Sequence, residues 1–374
     1  MNSGTPVQTR PNGQGVLHAL LVLVALAALL LVGHELPPQP APSDVPATIA
    51  TPPPPPPAPL DPAALSARIV PTIVTITATT GPLTTAGTGI VLSPDGLILT
   101  NHHVVDGAHD VDAVAMATGA EYDTEVLGYD RFRDVAVLRL VGADGLPVAP
   151  LGQSAGLRLR DSVTAIGNAE GGGVPLSAPG FITGTDESVV ARNSTDGTRN
   201  RLTGMIEVDA DIRPGDSGGP LVDAFGQVVG INTAGNTGMR PDPTEATTGI
   251  AVPIESYALP IDDAVAIADQ IRSGRGTATV HVGPTALLGV AVTDVGQSQD
   301  GAKVVAVGVA SPADQAGIVR GDIIVSWDGR PIRSQTDLTV EMNTRKPGDR
   351  VDIGWLDQSG QRRTETLVLA EGTP

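Results

Sequence analysis

The run Gly215-Asp216-Ser217-Gly218-Gly219-Pro220 places one hydroxyl on backbone that glycines allow to turn sharply. A serine used as a nucleophile needs a base within hydrogen-bond reach, a carboxylate to orient that base, and donors for the oxyanion. The run supplies two of these: the Ser217 hydroxyl, and the N–H groups of Gly215 and Ser217, which a tight turn can aim at one oxygen. Each such donor is worth about 2.7–4 kcal/mol in related chemistry. Gly218 and Gly219 leave room for a substrate backbone. A glycine-rich hairpin turn is the other use of such a run, but its length and the strand pattern resuming at Leu221-Val222 weigh against it.

Histidines for the base stand upstream in Thr100-Asn101-His102-His103-Val104-Val105, and carboxylates in Asp130-Arg131-Phe132-Arg133-Asp134-Val135-Ala136-Val137-Leu138. His102, His103 and His109 have a rival use as metal ligands, but adjacent histidines point to opposite sides of an extended chain. The chain has no cysteine, which removes a thiol nucleophile and any thiolate metal site.

The run around Ser217 resembles the nucleophile motif of trypsin-like serine proteases, and the segment around His103 resembles the histidine motif of their HtrA branch. In that pattern the base is the last histidine before the valine pair, His103, and His102 falls on a variable position. Asp134 matches the family's Asp-hydrophobic-Ala-Val-Leu segment; Asp130 is its nearest competitor and is expected in solvent. The order His103, Asp134, Ser217 is the trypsin order. Ala165-Ile166-Gly167-Asn168 and Pro179-Gly180-Phe181-Ile182-Thr183-Gly184 resemble the strand and loop before the HtrA active-site loop. The resemblance implies a serine endopeptidase with an oxyanion hole at Gly215 and Ser217, working without metal or cofactor. No Ile-Val-Gly-Gly segment of the zymogen kind occurs, so activity is expected without such a cleavage, and Asp216 needs a different partner. Asp211, six residues before Ser217, stands where trypsin carries its selector for Lys and Arg. It either meets a basic substrate residue, pairs with Arg213 or another arginine, or faces solvent.

The C-terminal part resembles an HtrA-type PDZ domain through Leu287-Leu288-Gly289-Val290, Ser311-Pro312-Ala313-Asp314-Gln315-Ala316-Gly317-Ile318 and Gly321-Asp322-Ile323-Ile324-Val325-Ser326-Trp327-Asp328-Gly329. Such domains add a peptide as an extra strand and hold its terminal carboxylate on backbone amides, here those of Leu288, Gly289 and Val290. A purely structural PDZ packed on the protease is the alternative. From about Leu60 onward the combination is similar to the actinobacterial PepA-like secreted proteases.

These residues need a frame. At 374 residues the chain is long enough for two or three domains. Abundant Gly and Pro with 2% aromatics favour β-structure whose core is built from Val, Ile, Leu and Ala. Short strands read at Ile73–Thr77, Gly89–Leu92, Leu97–Leu99, Val135–Leu140 and Gln227–Ile231, broken by Gly, Pro, Asp and Asn. A helix is expected over Asp262–Ile271, with two acids at its start.

The expected fold is mainly β: a two-β-barrel chymotrypsin-like protease domain over residues 63–273, a connector over 274–283, and a small α/β PDZ domain over 284–371. Before them come a polar segment, 1–15, and an uncharged apolar helix, 16–33, at the lower limit for a membrane span and without a clear cleavage site. A Pro-rich disordered linker, 34–62, contains six consecutive prolines and reads as an extended stalk.

The formal charge of −18 disfavours a nucleic-acid partner and suits a soluble exported protein. Expected partners are polypeptide substrates and C-terminal peptides, the membrane if the helix is uncleaved, and other copies of the chain, since HtrA relatives are often trimers. An envelope-anchored location is favoured slightly over secretion. Three uses fit: an endopeptidase acting on exported, unfolded proteins; a regulatory protease with one membrane-bound substrate; and a non-proteolytic chaperone or peptide-binding scaffold, which has no need of all three of His103, Asp134 and Ser217.

Overall fold

The computed structural model describes residues 58–192, 199–233, 255–296 and 299–374. The expected apolar helix over 16–33 and the linker as far as residue 57 lie outside them.

Six antiparallel strands form the first barrel: β1 (Ile73–Thr80), β2 (Leu83–Val91), β3 (Leu97–Thr100), β4 (Asp110–Ala115), β5 (Glu121–Asp130) and β6 (Val135–Leu140). They run β5-β4-β1-β2-β3-β6, and β6 pairs back onto β5 to close the ring. A second closed barrel holds β7 (Ser162–Gly167), β8 (Leu176–Arg192), β9 (Arg199–Val208), β10 (Pro220–Asp223), β11 (Val228–Thr233) and β12 (Ser256–Pro260).

The two-residue period of a strand sorts side chains between two cores. Ile98, Ala136 and Leu138 fill the first barrel with Val74, Ile76 and Tyr129. Their neighbours Leu97, Leu99, Val135 and Val137 join Ile166, Val222, Val228 and Ile231 in a shared core between the barrels. Strands β3 and β6 are therefore buried on both faces, and they anchor the segment that carries His103 after β3 and Asp134 before β6.

Two helices cover this shared core. Helix α1 (Pro62–Ile69) starts where Asp61 accepts a bond from the Ala64 amide (2.8 Å) with Pro62 in its first turn, and it buries Leu65 and Ile69. The linker thus ends earlier than expected: Leu60 packs on the core and its amide bonds Ala224 O at 2.8 Å. The apolar side chain of Leu60 and the Asp61 cap explain why. A turn of helix, α2 (His102–Val105), follows β3, and α3 (Ile261–Arg272) buries Ile261, Ala264, Ala268 and Ile271. Helix α3 brackets the expected 262–271.

Residues 274–283 do more than connect. Strand β13 (Val280–Val282) pairs with β5, setting His281 opposite Tyr129, so the connector adds a seventh strand to the first sheet. Beyond it, β14 (Thr285–Leu287) pairs with β21 (Ala370–Gly372). A sheet in the order β15 (Val290–Asp294), β16 (Ala302–Val307), β17 (Ile323–Trp327), β19 (Arg350–Leu356), β20 (Arg362–Val368) carries β18 (Arg330–Pro331) on β17. With helices α4 (Pro312–Gln315) and α5 (Gln335–Asn343) it encloses a core around Trp327, Ile353 and Leu338. The chain is mainly β, with two barrels and a PDZ domain, as its sequence implies.

Candidate active site

Helix α2, its Val104 and Val105 in the first barrel's core, brings His103 to the turn between β5 and β6. His103 Nδ1 lies 2.7 Å from Asp134 Oδ2, and the His103 amide donates to Asp134 Oδ1 at 2.9 Å. Asp134 takes a left-handed conformation, φ 56°, which a short polar residue tolerates. Its carbonyl accepts a bond from Asn101 Nδ2 (2.9 Å), a side chain with no exposure one residue before α2. His103 and Asp134 are thus held through main-chain bonds as well as through their own side chains.

Burial alone would push the His103 pKa down. The charge of Asp134 and its bond, helped by Asp106, outweigh burial and raise the pKa above the ordinary 6.5.

Asp130 is not solvated as expected. It is buried and accepts bonds from the amides of Phe132 (2.9 Å) and Arg133 (3.0 Å), which shape the turn that presents Asp134. The histidine segment is a helical turn and not an extended chain, and its histidines have separate surroundings. His103 faces Asp134, His102 packs 4.6 Å from the buried Tyr129 ring, and His109 is exposed. Among the described residues no group of three or more His, Asp or Glu could hold a metal ion. Burial, with Arg131 nearby, takes the His102 pKa to about 3, so its ring is neutral. Tyr129 in turn stacks on His281, centroids 5.0 Å apart, linking the rear of α2 to β13.

Ser217 sits in the loop between β9 and β10, which is stitched to the first barrel by buried threonines. Thr88 Oγ1 donates to Gly215 O (2.7 Å) and accepts from the Asn168 amide (2.9 Å), and the Thr88 amide donates to Ser217 O (2.8 Å). Thr100 Oγ1 donates to Thr88 O (2.7 Å), so the same threonine pair ties the Ser217 turn to the base of α2. Both flanking glycines are required. Gly215 has φ +99° and Gly218 φ +84°, and a Cβ would strike Asn168 O at the first and Thr88 O with Thr100 Oγ1 at the second.

The peptide planes before the two expected oxyanion donors are fixed from their carbonyl ends. Pro214 O accepts from the Glu170 amide (2.7 Å), which turns the Gly215 N–H the opposite way, and Asp216 O accepts from the Gly219 amide (2.9 Å), which does the same for Ser217.

Asp216 finds its partner in Arg213, whose amide donates to Asp216 Oδ2 at 2.9 Å. Burial raises the Asp216 pKa to about 6 against the pull of that amide and the Arg213 charge. Asp211 also faces Arg213: Nε and Nη2 lie 3.0 and 2.8 Å from Asp211 Oδ2, and Nη1 reaches Glu170 Oε1 at 2.8 Å. Of the three partners open to Asp211, the structure takes Arg213. Sequence reasoning missed Thr88, Glu170, Tyr129 and His281, since nothing local marks a residue whose partner is 40 or more positions away.

In the PDZ domain Leu288 is buried, and its carbonyl accepts from the Ala313 amide (3.0 Å). Gly289 lies directly against Ser311, and Val290 opens β15, an edge strand whose other side borders α5. An edge strand bordered by a helix thus follows the Leu288-Gly289 loop.

Residues 87–231 match the trypsin-like peptidase domain, and residues 286–366 match the PDZ domain. The serine protease PepD of Mycobacterium tuberculosis is 34% identical over 360 residues, covering 92% of this chain and 74% of that protein. The putative serine protease HhoA of a Synechocystis species is 36% identical over 260 residues, covering 66% of this chain and 61% of its own. A probable periplasmic serine endoprotease, DegP-like, of Pseudomonas savastanoi pv. phaseolicola is 32% identical over 292 residues, covering 76% and 55%. The chain spans under two thirds of the last two. With two closed barrels, a bonded His-Asp pair, a Gly-flanked serine turn and a following PDZ domain, the chain belongs to the HtrA-type trypsin-like serine proteases, serine endopeptidases with a C-terminal PDZ domain.

Proposed function

We propose that Ser217 is the nucleophile, His103 its general base and Asp134 the carboxylate that orients the base, with the Gly215 and Ser217 amides as oxyanion donors. The observation that carries this reading is the doubled bond from Asp134 to the ring and amide of His103, together with a serine turn that two threonines tie to the strand leading into the His103 helix. His103 Nδ1 facing Asp134 leaves Nε2 as the atom that takes the Ser217 proton while the hydroxyl attacks a peptide carbonyl. Asp134 stabilises the imidazolium so formed, and His103 then protonates the leaving amine. The acyl-enzyme is hydrolysed by water with the same base.

We assign the substrates as unfolded exported polypeptides, with C-terminal segments bound by β-addition at β15. Export is supported by the apolar run over 16–33 and by the periplasmic relative. The test is cleavage of casein by the full chain with and without Ser217→Ala. Loss of about 10⁶ in turnover is expected. Equal inactivity of both on unfolded substrates would transfer the reading to a peptide-binding scaffold.

A further inference from the structure

The Ala210–Gly219 loop has no regular secondary structure, and its amides must nevertheless hold one orientation. Its inner side is fixed by buried bonds from Thr88. Its outer side depends on the segment Asn168–Gly171, where Glu170 supplies the amide that holds Pro214 O. That residue is itself in an unfavourable conformation, φ 61°, for a side chain larger than glycine. Backbone strain of this kind persists where neighbours over-determine it. Here the neighbour is Arg213. Its Nη1 takes Glu170 Oε1 at 2.8 Å, its Nε and Nη2 take Asp211 Oδ2, and its amide takes Asp216 Oδ2. One residue therefore grips three carboxylates drawn from both segments that frame the Gly215 amide.

We infer that Arg213 and Glu170 form a clamp that positions the Gly215 N–H for the oxyanion, and that Asp211 serves this clamp instead of selecting a basic substrate residue. The inference rests on the reading of Ser217 as nucleophile. The clamp is a positioning device, since neither side chain touches the reacting atoms. Both are partly exposed, the side chain of Glu170 at 72% and that of Arg213 at 39%, and exposed ion pairs add little to global stability. What is left for the pair is local: without it the Glu170 amide swings from Pro214 O, and the Pro214–Gly215 peptide is free to turn its N–H away.

The test uses the full chain with a peptide that the wild type cleaves, and compares Ser217→Ala, Glu170→Gln, Arg213→Gln and Arg213→Lys. Glu170→Gln and Arg213→Gln are expected to lower kcat about 3–5-fold while KM stays within about twofold, because a misplaced donor is felt in the transition state and an exposed pair biases its position only modestly. Their melting temperatures should stay near that of wild type, and Arg213→Lys should recover part of kcat. Glu170 is a surface residue, so its variant remains informative if Arg213→Gln fails to fold. The clamp is overturned if Glu170→Gln keeps kcat within twofold of wild type, or raises KM alone, while Ser217→Ala is inactive; the site reading then survives. Full activity of Ser217→Ala would overturn both.

Discussion

The two sides of the site are held by different forces. On the side of the proposed base, His103 follows and Asp134 precedes a doubly buried strand, and bonds from the His103 amide and the Asn101 side chain fix the aspartate. On the nucleophile side, glycines with positive φ thread a loop between buried threonines, and an exposed cluster of Arg213, Asp211 and Glu170 closes it from outside. Charges in a packed interior are poorly screened, whereas partly exposed pairs weaken with salt. The base should therefore be permanently set, and the oxyanion loop should be the part that conditions can loosen.

The largest effect should come from Asp134→Asn, which keeps the shape but reverses the favoured imidazole tautomer. A loss of about 10⁴ in kcat is expected. It should be the same at low and high salt, and a loss under tenfold would break the picture of a fixed base.

Thr88→Val keeps volume but strands Gly215 O and the Asn168 amide inside the protein. We expect about 2–3 kcal/mol of lost stability, read by denaturant unfolding, together with reduced activity. A neutral result would mean the loop is not held from within.

Because Asp211 is engaged by Arg213, peptides with Val or Ala before the scissile bond should be cleaved at least about tenfold faster than those with Arg, since a basic side chain finds no unpaired charge. Preference for Arg would return Asp211 to the specificity pocket.

With His103 as the proposed base, catalysis needs its ring neutral, and its pKa is raised, so the acid limb of kcat/KM should have its midpoint above 6.5. A midpoint well below 6.5 would contradict the charge balance at Asp134.

The smallest effect concerns Asp216. Its pKa of about 6 lies above the ordinary 3.8, so the folded state holds this proton more tightly than the unfolded state, and stability falls as pH rises from about 4 through 6. Asp216→Asn should then raise the melting temperature at pH 7 and leave it unchanged near pH 3.5. No gain at pH 7 would show that Arg213 fully compensates the buried charge.

The sequence by itself determined the family and the candidate residues of the site. Local motifs around His103, Asp134 and Ser217 are short because each chemical role needs its neighbours in a fixed local geometry, such as glycines beside Ser217 or a strand start after Asp134. The strands were legible for the same reason: β-branched residues in short runs leave few alternatives. What tertiary structure alone decided are the pairings across long separations. Thr88 with Gly215, Glu170 with Arg213, and Tyr129 with His281 have no local signal, because a threonine or tyrosine in a strand looks the same whether its hydroxyl or ring finds a partner or water. Asp130 and Asp211 show the limit most plainly. Each is an acid near a turn or loop, and only folding settles that one is buried under two amides and the other bound to an arginine.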